Sequence, residues 1–444
     1  MPKKKTALTI EERLQQALVP VEEQPYEVPE NWVWVRLGAV CYASKEKSND
    51  FSNEIKYIGL EHLEKDKGIV GFSSADKVKS TKNAFQEGQI LYGRLRPYLN
   101  KHDIASFSGV CSTDILVFEA SVLVANVLVD KFFNLPFFIE YVVANSKGIN
   151  LPRVSEETVL NTTFPLPPLS EQQRIVERIE ELFAKLDEAK ERLQEAADSF
   201  AVRKAAILHK AFTGELTQQW RRENGVSDES WEEKKLGEVG VLERGRSKHR
   251  PRNDERLFGG IYPFIQTGDV ANADMFIKKH SQTLSDFGMQ QSKLFAKNTI
   301  CITIAANIGK VAILSYDSCF PDSVVGLTTD EKNNYKYVYY YLSTQQKELE
   351  SKAPATAQKN INLKVLNDLD IPLPTLPEQH EIVRLIDDLL ARERKAQQAT
   401  EQALASIDLM KKSILARAFR GELGTNKASE ASALELLRQV LAEN

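Results

Sequence analysis

The stretch FPLPPLSEQQRIVERIEELFAKLDE, Phe164 to Glu188, returns 207 residues later as IPLPTLPEQHEIVRLIDDLLARERK, Ile371 to Lys395. The motif that closes each copy keeps the same offset: KAAILHKAFTGEL from Lys204 becomes KKSILARAFRGEL from Lys411. Nothing is inserted or deleted between these anchors, as two long helices of matched length require, because an indel would rotate one face away from its partner. Positions 175, 179, 182, 186, 189, 193, 196, 200, 203 and 207 alternate steps of four and three. They carry Ile, Ile, Leu, Leu, Ala, Leu, Ala, Phe, Arg and Ile, a coiled-coil seam with one polar interruption. The equivalent seam of the second copy, which includes Ala396, Ala403 and Met410, is broken by Glu393 and Thr400, so a looser contact is expected at its middle. Each copy opens with a proline-punctuated extended run, then Ser170 or Pro377 directly before EQ. Each closes at Gly214 or Gly421, placed as C-terminal caps. The spacing predicts two helices of about 40 residues, roughly 60 Å each, able to pair as one rod.

A chain of 444 residues exceeds one ordinary core, so two or more domains are expected. Hydrophobic residues at 42% and charged residues at 27% are an ordinary globular balance. No run of about 18 apolar residues occurs, and the lysine-rich start lacks the apolar stretch of a signal peptide, which points to the cytoplasm. Cys41, Cys111, Cys301 and Cys319 form no CxxC pair and sit in strand-like apolar runs, so neither a disulfide framework nor a zinc site is expected. The net charge of −4 argues against a simple polyanion binder, and makes the local distribution of charge the informative quantity.

Two blocks of similar size remain, Trp32 to Asn161 and Trp231 to Asp370. Their openings echo each other, WVWVRLGAV against WEEKKLGEV. Inside them the likeness is faint: GQILYG near Gly88 against NTICIT near Asn298, and CSTDILVF near Cys111 against CFPDSVVG near Cys319. Short β-branched and aromatic runs punctuated by Gly, Pro, Asn and Asp predict mixed α/β globules. The expected division is an extension (1–25), a first globule (26–164), a central helix (165–216), a second globule (217–371), a second helix (372–423) and a tail (424–444). A short amphipathic helix is expected around Ile10 to Val19, and another in ALELLRQVLAEN near the end; they could pack on each other or on a partner.

The order of globule, PLPPLSEQQRIV, long helix and KAFTGEL, then the same again ending in ILARAFRGEL, resembles the DNA-specificity subunit of type I restriction-modification enzymes, from about Trp32 to Leu423. The resemblance implies two pseudo-repeated α/β target-recognition domains separated by two long antiparallel coiled-coil helices. Each domain would read one half of a bipartite, asymmetric double-stranded DNA target. Two methyltransferase subunits would dock on the helices and two restriction (motor-nuclease) subunits would complete the complex. S-adenosylmethionine, ATP and Mg²⁺ would belong to those partners, with no cofactor in this chain. The docking surface implied by the family motifs includes Glu171, Gln172, Phe212, Gly214, Glu378, Gln379, Phe419 and Gly421. The four acidic and amide residues among them could equally serve only to start helices, where the dipole favours a carboxylate.

Local charge fits DNA. Lys77, Lys79, Lys82, Arg94, Arg96 and Lys101 stand against one acid, Glu87, and LYGRLRPYLNK interleaves its arginines with Tyr92 and Tyr98. The run RGRSKHRPR contributes Arg244, Arg246, Lys248, Arg250 and Arg252 with no acid. Base readout needs amides as well as arginines, and Gln266, Thr267, Asp269 and Asn307 are candidates on apparent loops. The plainer reading of these segments is solvated surface.

Catalytic machinery is not evident. NIGKV lacks the upstream glycine and the hydroxyl residue of a phosphate loop, and NLPFF at Asn134 has leucine where an adenine methyltransferase motif needs proline. The six histidines show no ligand spacing. Asp322, Asp330 and Lys332 follow the PD…(D/E)xK order of Mg²⁺-dependent nucleases, at a spacing short for two strands and a turn. A self-sufficient nuclease and a coiled-coil scaffold without a DNA role are the alternatives; neither explains two dissimilar globules on near-identical stems.

Overall fold

The computed structural model describes residues 9–49, 52–78, 80–121, 124–353 and 360–443. In the first globule the apolar runs ILYG (Ile90–Gly93) and ILVFEA (Ile115–Ala120) form adjacent antiparallel strands, with Ile90 opposite Phe118. Their continuous apolar character follows from burial on both faces. Strands His102–Ile104 and Cys41–Ala43 flank them in a four-stranded sheet. In the second globule ICIT (Ile300–Thr303) and VVGLTT (Val324–Thr329) pair likewise, with Ile300 opposite Leu327. Val311–Leu314 and Gly240–Arg244 flank them in the same order, and Phe276–Ile277 adds a fifth strand. The faint matches in the sequence therefore mark equivalent strands. Gly88 (φ 89°) and Asn298 (φ 70°) turn the chain through the left-handed region just before the equivalent strands, a conformation that glycine and asparagine tolerate best.

A second sheet completes each globule: five strands within Lys47–Cys111 in the first, four within Phe258–Cys319 in the second. The echoing openings also match: Val33–Arg36 pairs with Thr163–Leu166, and Glu232–Lys235 with Asp370–Leu373, so the chain enters and leaves each globule through one antiparallel ribbon. Packed on these ribbons are aromatic knots. Phe132 meets Phe164 at 4.9 Å and Phe419 at 5.7 Å between ring centroids, whereas Phe212 lies 5.4 Å from Tyr337 and 5.2 Å from Tyr341. Burial of each such ring is worth roughly 1.5–3 kcal/mol, more than any exposed ion pair on the helices.

The long helices run Leu169–Phe212 and Leu376–Ala418, 44 and 43 residues, each beginning one residue before the anticipated Ser170 or Pro377. Gly214 (φ 77°) and Gly421 (φ 73°) follow their ends in the left-handed conformation expected of C-terminal caps. The chain forms two compact units, Met1–Gln194 with Gln402–Asn444, and Glu195–Glu401, so each unit holds half of each helix. Within the first unit Asp187 pairs with Lys411 at 2.6 Å and Lys190 with Asp408 at 4.0 Å. One index rises by three as the other falls by three, so the halves are antiparallel. Within the second unit the Arg203 Nε donates to Glu393 Oε2 at 2.9 Å.

The middle of the second helix is thinly packed, as its broken seam suggests: residues 394–399 are all exposed. The polar interruptions of the two seams meet each other as an ion pair, worth at most about 1 kcal/mol because both side chains are partly exposed. Thr400 is buried and its hydroxyl donates to the Ala396 carbonyl of its own helix at 2.9 Å. Ala396 and Met410, assigned to the seam by spacing, are exposed instead, while Ile407 and Leu415 are buried. A helix of 3.6 residues per turn drifts about 20° per heptad, which moves a strict seam off the contact.

The short helices at Ile10–Ala17 and Ala433–Glu443 pack on each other in the first unit, with Leu14, Ala17, Leu437 and Val440 joining its core. Arg13 Nη1 donates to the Leu441 carbonyl at 2.9 Å, and Ala433 N to the Asn31 carbonyl at 2.8 Å.

Candidate nucleic-acid interface

In the first globule Arg94, Arg96, Tyr98 and Lys101 share the loop between strands Ile90–Gly93 and His102–Ile104. Arg96 (φ 53°) and Asn100 (φ 43°) are both left-handed and bracket a tight turn at Pro97–Leu99. The loop is braced from outside: Arg94 N donates to the Asp114 carbonyl at 2.9 Å, Val154 N to the Arg94 carbonyl at 3.0 Å and Arg96 N to the Pro152 carbonyl at 2.7 Å. Beneath it, buried His102 bonds Asp130 at 2.7 Å and Asn100 at 3.2 Å. Coulombic attraction and the hydrogen bond from His102 hold the Asp130 carboxyl below its ordinary range, outweighing burial that acts the other way. A rigid loop thus presents Arg96 and Tyr98, both exposed. Tyr92 does not join them; it sits on a strand buried throughout and is fully buried among Phe118, Phe133 and Phe138. Lys101 Nζ donates to the Leu60 carbonyl at 3.0 Å, and Lys82 Nζ to Ser80 Oγ at 2.8 Å. Lys79 and the side chain of Lys77 lie outside the described residues.

The second basic segment is laced by acids that the sequence run concealed. Arg252 donates twice to Asp322, at 2.7 and 3.0 Å, and Arg244 Nε bonds the Asp322 carbonyl. Arg250 folds back on the carbonyls of Ser247 and His249, both at 2.8 Å. His249 bonds Asp254 at 2.8 Å, and Arg256 bonds the same carboxylate at 2.6 Å. The hydrogen bonds from Arg256, then that from His249, hold the Asp254 carboxyl well below its usual range. Arg246 and Lys248 remain exposed. The strand-opening Asp114 of the first globule holds Arg153 through two nitrogens, Nε at 2.9 Å and Nη2 at 3.3 Å, so aspartates matched in the two sequences each anchor an arginine.

The amide candidates divide. Gln266 borders a cavity of about 420 Å³ beside Arg246 and Arg252, and its Nε2 donates to Gln282 Oε1 at 2.9 Å. Asp269 instead accepts from Gln266 N at 2.7 Å and Ser281 Oγ at 3.0 Å, which makes it a brace for the helix Thr267–Ala271 that Thr267 begins. Asn307 is exposed on a tight left-handed turn (φ 58°) whose carbonyl accepts from Thr303 Oγ1 at 2.6 Å.

The nuclease reading fails on geometry. Asp322 and Asp330 stand at opposite ends of the strand Val324–Thr329, roughly 20 Å apart, and Asp322 is occupied by Arg252. Among the described residues no group of three His, Cys, Asp or Glu could hold a metal. The buried cysteines are poor nucleophiles, since burial pushes Cys41 and Cys111 up to about 12.

The EQ motifs lie inside the protein, not on a surface. Glu171 and Glu378 are 0% exposed, Gln172 and Gln379 1%. Glu171 accepts from Trp32 Nε1 at 2.7 Å, Asn426 Nδ2 at 2.8 Å and Thr425 Oγ1 at 3.0 Å. Glu378 accepts from Thr217 Oγ1 and Arg221 Nη1 at 2.7 Å each and from Trp231 Nε1 at 3.1 Å. Each carboxylate ties the start of one long helix to the tryptophan that opens a globule and to the segment beyond the end of the other long helix. The adjacent amides bond Ala125 N (3.2 Å) and Asn334 N (2.8 Å), so each also locks the first turn of a short globule helix. Phe419 is buried, Phe212 and Gly421 are half-buried and Gly214 is buried. Glu171, Gln172, Glu378, Gln379 and Phe419 thus brace the framework from inside, while Phe212 and Gly421 keep part of their surface exposed. Thr217, Thr425, Arg221 and Arg153 escaped notice in the sequence; Gly424 shifts Thr425 from the 207-residue offset that would have flagged it.

Comparison with known proteins meets this geometry twice over. The family model of the type I restriction modification DNA specificity domain matches residues 29–197 and again 228–403. The type I restriction enzyme EcoBI specificity subunit of Escherichia coli is 28% identical over 337 residues, covering 70% of this chain and 70% of that protein. The MjaVIII specificity subunit of Methanocaldococcus jannaschii is 26% identical over 416 residues, 86% of this chain and 92% of that one. The crystal structure of the HsdS subunit from Thermoanaerobacter tengcongensis has the same fold, with a TM-score of 0.70 at 23% identity over 90% of this chain and all of that one. The chain belongs to the type I restriction-modification DNA specificity subunits, which recognise DNA sequence and are not themselves catalytic.

Proposed function

We propose that each globule reads one half of a bipartite, asymmetric DNA target, and that the long helices recruit two methyltransferase subunits and, in the complete enzyme, two restriction subunits. The observation that carries this reading is the repeat of framework without repeat of surface. Strand order, entry ribbon and carboxylate hub recur, while the basic segments differ in sequence, position and partners. A duplicated reader with unlike edges suits a target with unlike halves. S-adenosylmethionine, ATP and Mg²⁺ then act in the partner subunits, in the cytoplasm. The target-recognition domains correspond to residues 26–164 and 217–371.

With the EQ residues internal, docking falls to exposed apolar positions of the helices. Val202 and Leu409 are 207 residues apart, and are 70% and 66% exposed. An apolar side chain recurring at one register on both stems suits two copies of one partner. Val202→Asp with Leu409→Asp is expected to leave thermal unfolding within about 0.5 kcal/mol of wild type and to abolish co-purification with the methyltransferase subunit. Unchanged co-purification would reject that surface.

The reading as a whole is tested by single-molecule methylation sequencing of DNA from cells that express this chain with its methyltransferase subunit, against cells expressing that subunit alone. A split motif around a fixed gap, methylated only when this chain is present, is the expected result. Identical methylation in both, with both subunits folded, would reject the bipartite reading.

A further inference from the structure

The cavity of about 420 Å³ in the second globule is lined by four amide side chains and two arginines, with no carboxylate among them. Its apolar floor includes Phe264 and Leu284, both buried. Such a lining repels no polyanion and offers neutral donors and acceptors at its rim. Gln266 comes from the loop after the strand Phe258–Phe264, and Gln282 opens the antiparallel neighbour Gln282–Leu284, so the sheet register sets the two amides side by side. Phe264 stands opposite Gln282 in that register.

The bond from Gln266 Nε2 to Gln282 Oε1, 2.9 Å, consumes one donor and one acceptor of the pair. Outside that bond the Gln266 oxygen still accepts and the Gln282 nitrogen still donates, while the Gln266 nitrogen keeps its second N–H and the Gln282 oxygen its second lone pair. Exchanging O and N in both amides leaves an equivalent set, an acceptor on one residue and a donor on the other. Gln266 is also fixed at its backbone, because Asp269 accepts from its N–H. The result is a braced acceptor–donor edge at the mouth of a cavity flanked by Arg246.

We infer that the Gln266–Gln282 pair is a specificity-determining edge that reads an adenine in the half-site of the second globule. Adenine presents a donor at N6 beside an acceptor at N7 in the major groove, the complement of this edge. Guanine presents two acceptors, and its O6 would face the glutamine oxygen. Thymine offers O4 beside a methyl group. Arg246, on the cavity wall, is placed for a phosphate or a neighbouring base, whereas Arg252 is held by Asp322 and positions the loop. This assignment rests on the DNA-recognition role and adds which base is read and by which residues.

The test uses the full chain co-expressed with its methyltransferase subunit and reads the methylated motif position by position. Gln266→Ala and Gln282→Ala are each expected to relax one and the same adenine position by about 5- to 150-fold, the worth of one bidentate contact, leaving the other half-site and the gap unchanged. Gln282→Glu replaces the donor by an acceptor at nearly constant shape, and is expected to move the preference at that position from adenine toward cytosine, whose N4 donates. The inference is overturned if variants that co-purify normally with the methyltransferase keep full selectivity at every position, or lose it where the wild type demands guanine, cytosine or thymine. If the wild-type complex itself shows no sequence-limited methylation, the recognition reading fails together with this one, and the two failures are thereby told apart.

Discussion

Glu378→Ala is expected to destabilise the second unit by about 3–5 kcal/mol, the range found when one partner of a buried ion pair is removed. Arg221 is buried and its Nη1 donates to Glu378 at 2.7 Å; its remaining acid, Asp228, is largely exposed and contacts only Nε, at 2.8 Å. Burial would lower the Arg221 pKa, but the hydrogen bonds its guanidinium donates to Glu378 and then Asp228 raise it, so the charge persists at every ordinary pH. Without the carboxylate, Trp231 Nε1 and Thr217 Oγ1 also lose their acceptor. Urea denaturation gives the size of the effect, and amide hydrogen exchange shows whether it falls within 195–401. Adding Arg221→Leu should recover part of the loss, because the orphaned charge goes with it. The equivalent Glu171→Ala is expected to cost less, about 1–3 kcal/mol, since its three donors are neutral. Equal losses at the two hubs would show that the charge of Arg221 is not what sets them apart.

Phe419→Ala is expected to cost about 3–5 kcal/mol in the first unit, as large aromatic truncations in cores do. Its ring follows directly on the second long helix and lodges 5.7 Å from Phe132 and 6.3 Å from Phe164, so its loss opens a cavity where helix and globule meet. Were Phe419 part of a docking face, the variant would unfold like wild type and lose only its partner. Phe212, 207 residues earlier, is half-buried between Tyr337 and Tyr341, and its truncation should cost less. A Phe419→Ala chain with unchanged urea midpoint would overturn the internal assignment.

The helices were legible because their signals are local: apolar spacing, an entry proline and a closing glycine each act within a few residues. The strands were partly legible for the same reason, and even the faint likeness of GQILYG to NTICIT marked true equivalents. What escaped were pairings between distant segments. Arg203 and Glu393 counted as two separate faults until the antiparallel register set them opposite each other. Asp322 sits 70 residues from Arg252, so a run that reads as purely basic is in fact part-neutralised. Trp32 and Trp231 were visible as an echo, but their bonds to Glu171 and Glu378 span 139 and 147 residues and leave no trace in any window. Burial likewise decided Tyr92, which shares its segment with exposed Arg96 but sits on a strand whose every residue is inside. In both globules the basic segments were visible as composition, while the partners of each residue depended on which neighbour the fold supplied.

The return of residues beyond Gly421 to the first globule bears on the order in which the two units can form. The second unit takes every residue from one continuous stretch, 195–401, so a chain growing on a ribosome can complete it while synthesis is still under way. The first unit cannot close until residues 402–444 arrive, because Thr425 and Asn426 complete the Glu171 hub and the helix Ala433–Glu443 covers Leu14 and Ala17. Its Arg13 to Leu441 contact spans 428 residues. Until then the amino-terminal globule exists with its first long helix made and the apolar flank of that helix unpaired, at the point of synthesis where a chaperone or a partner subunit would find it open.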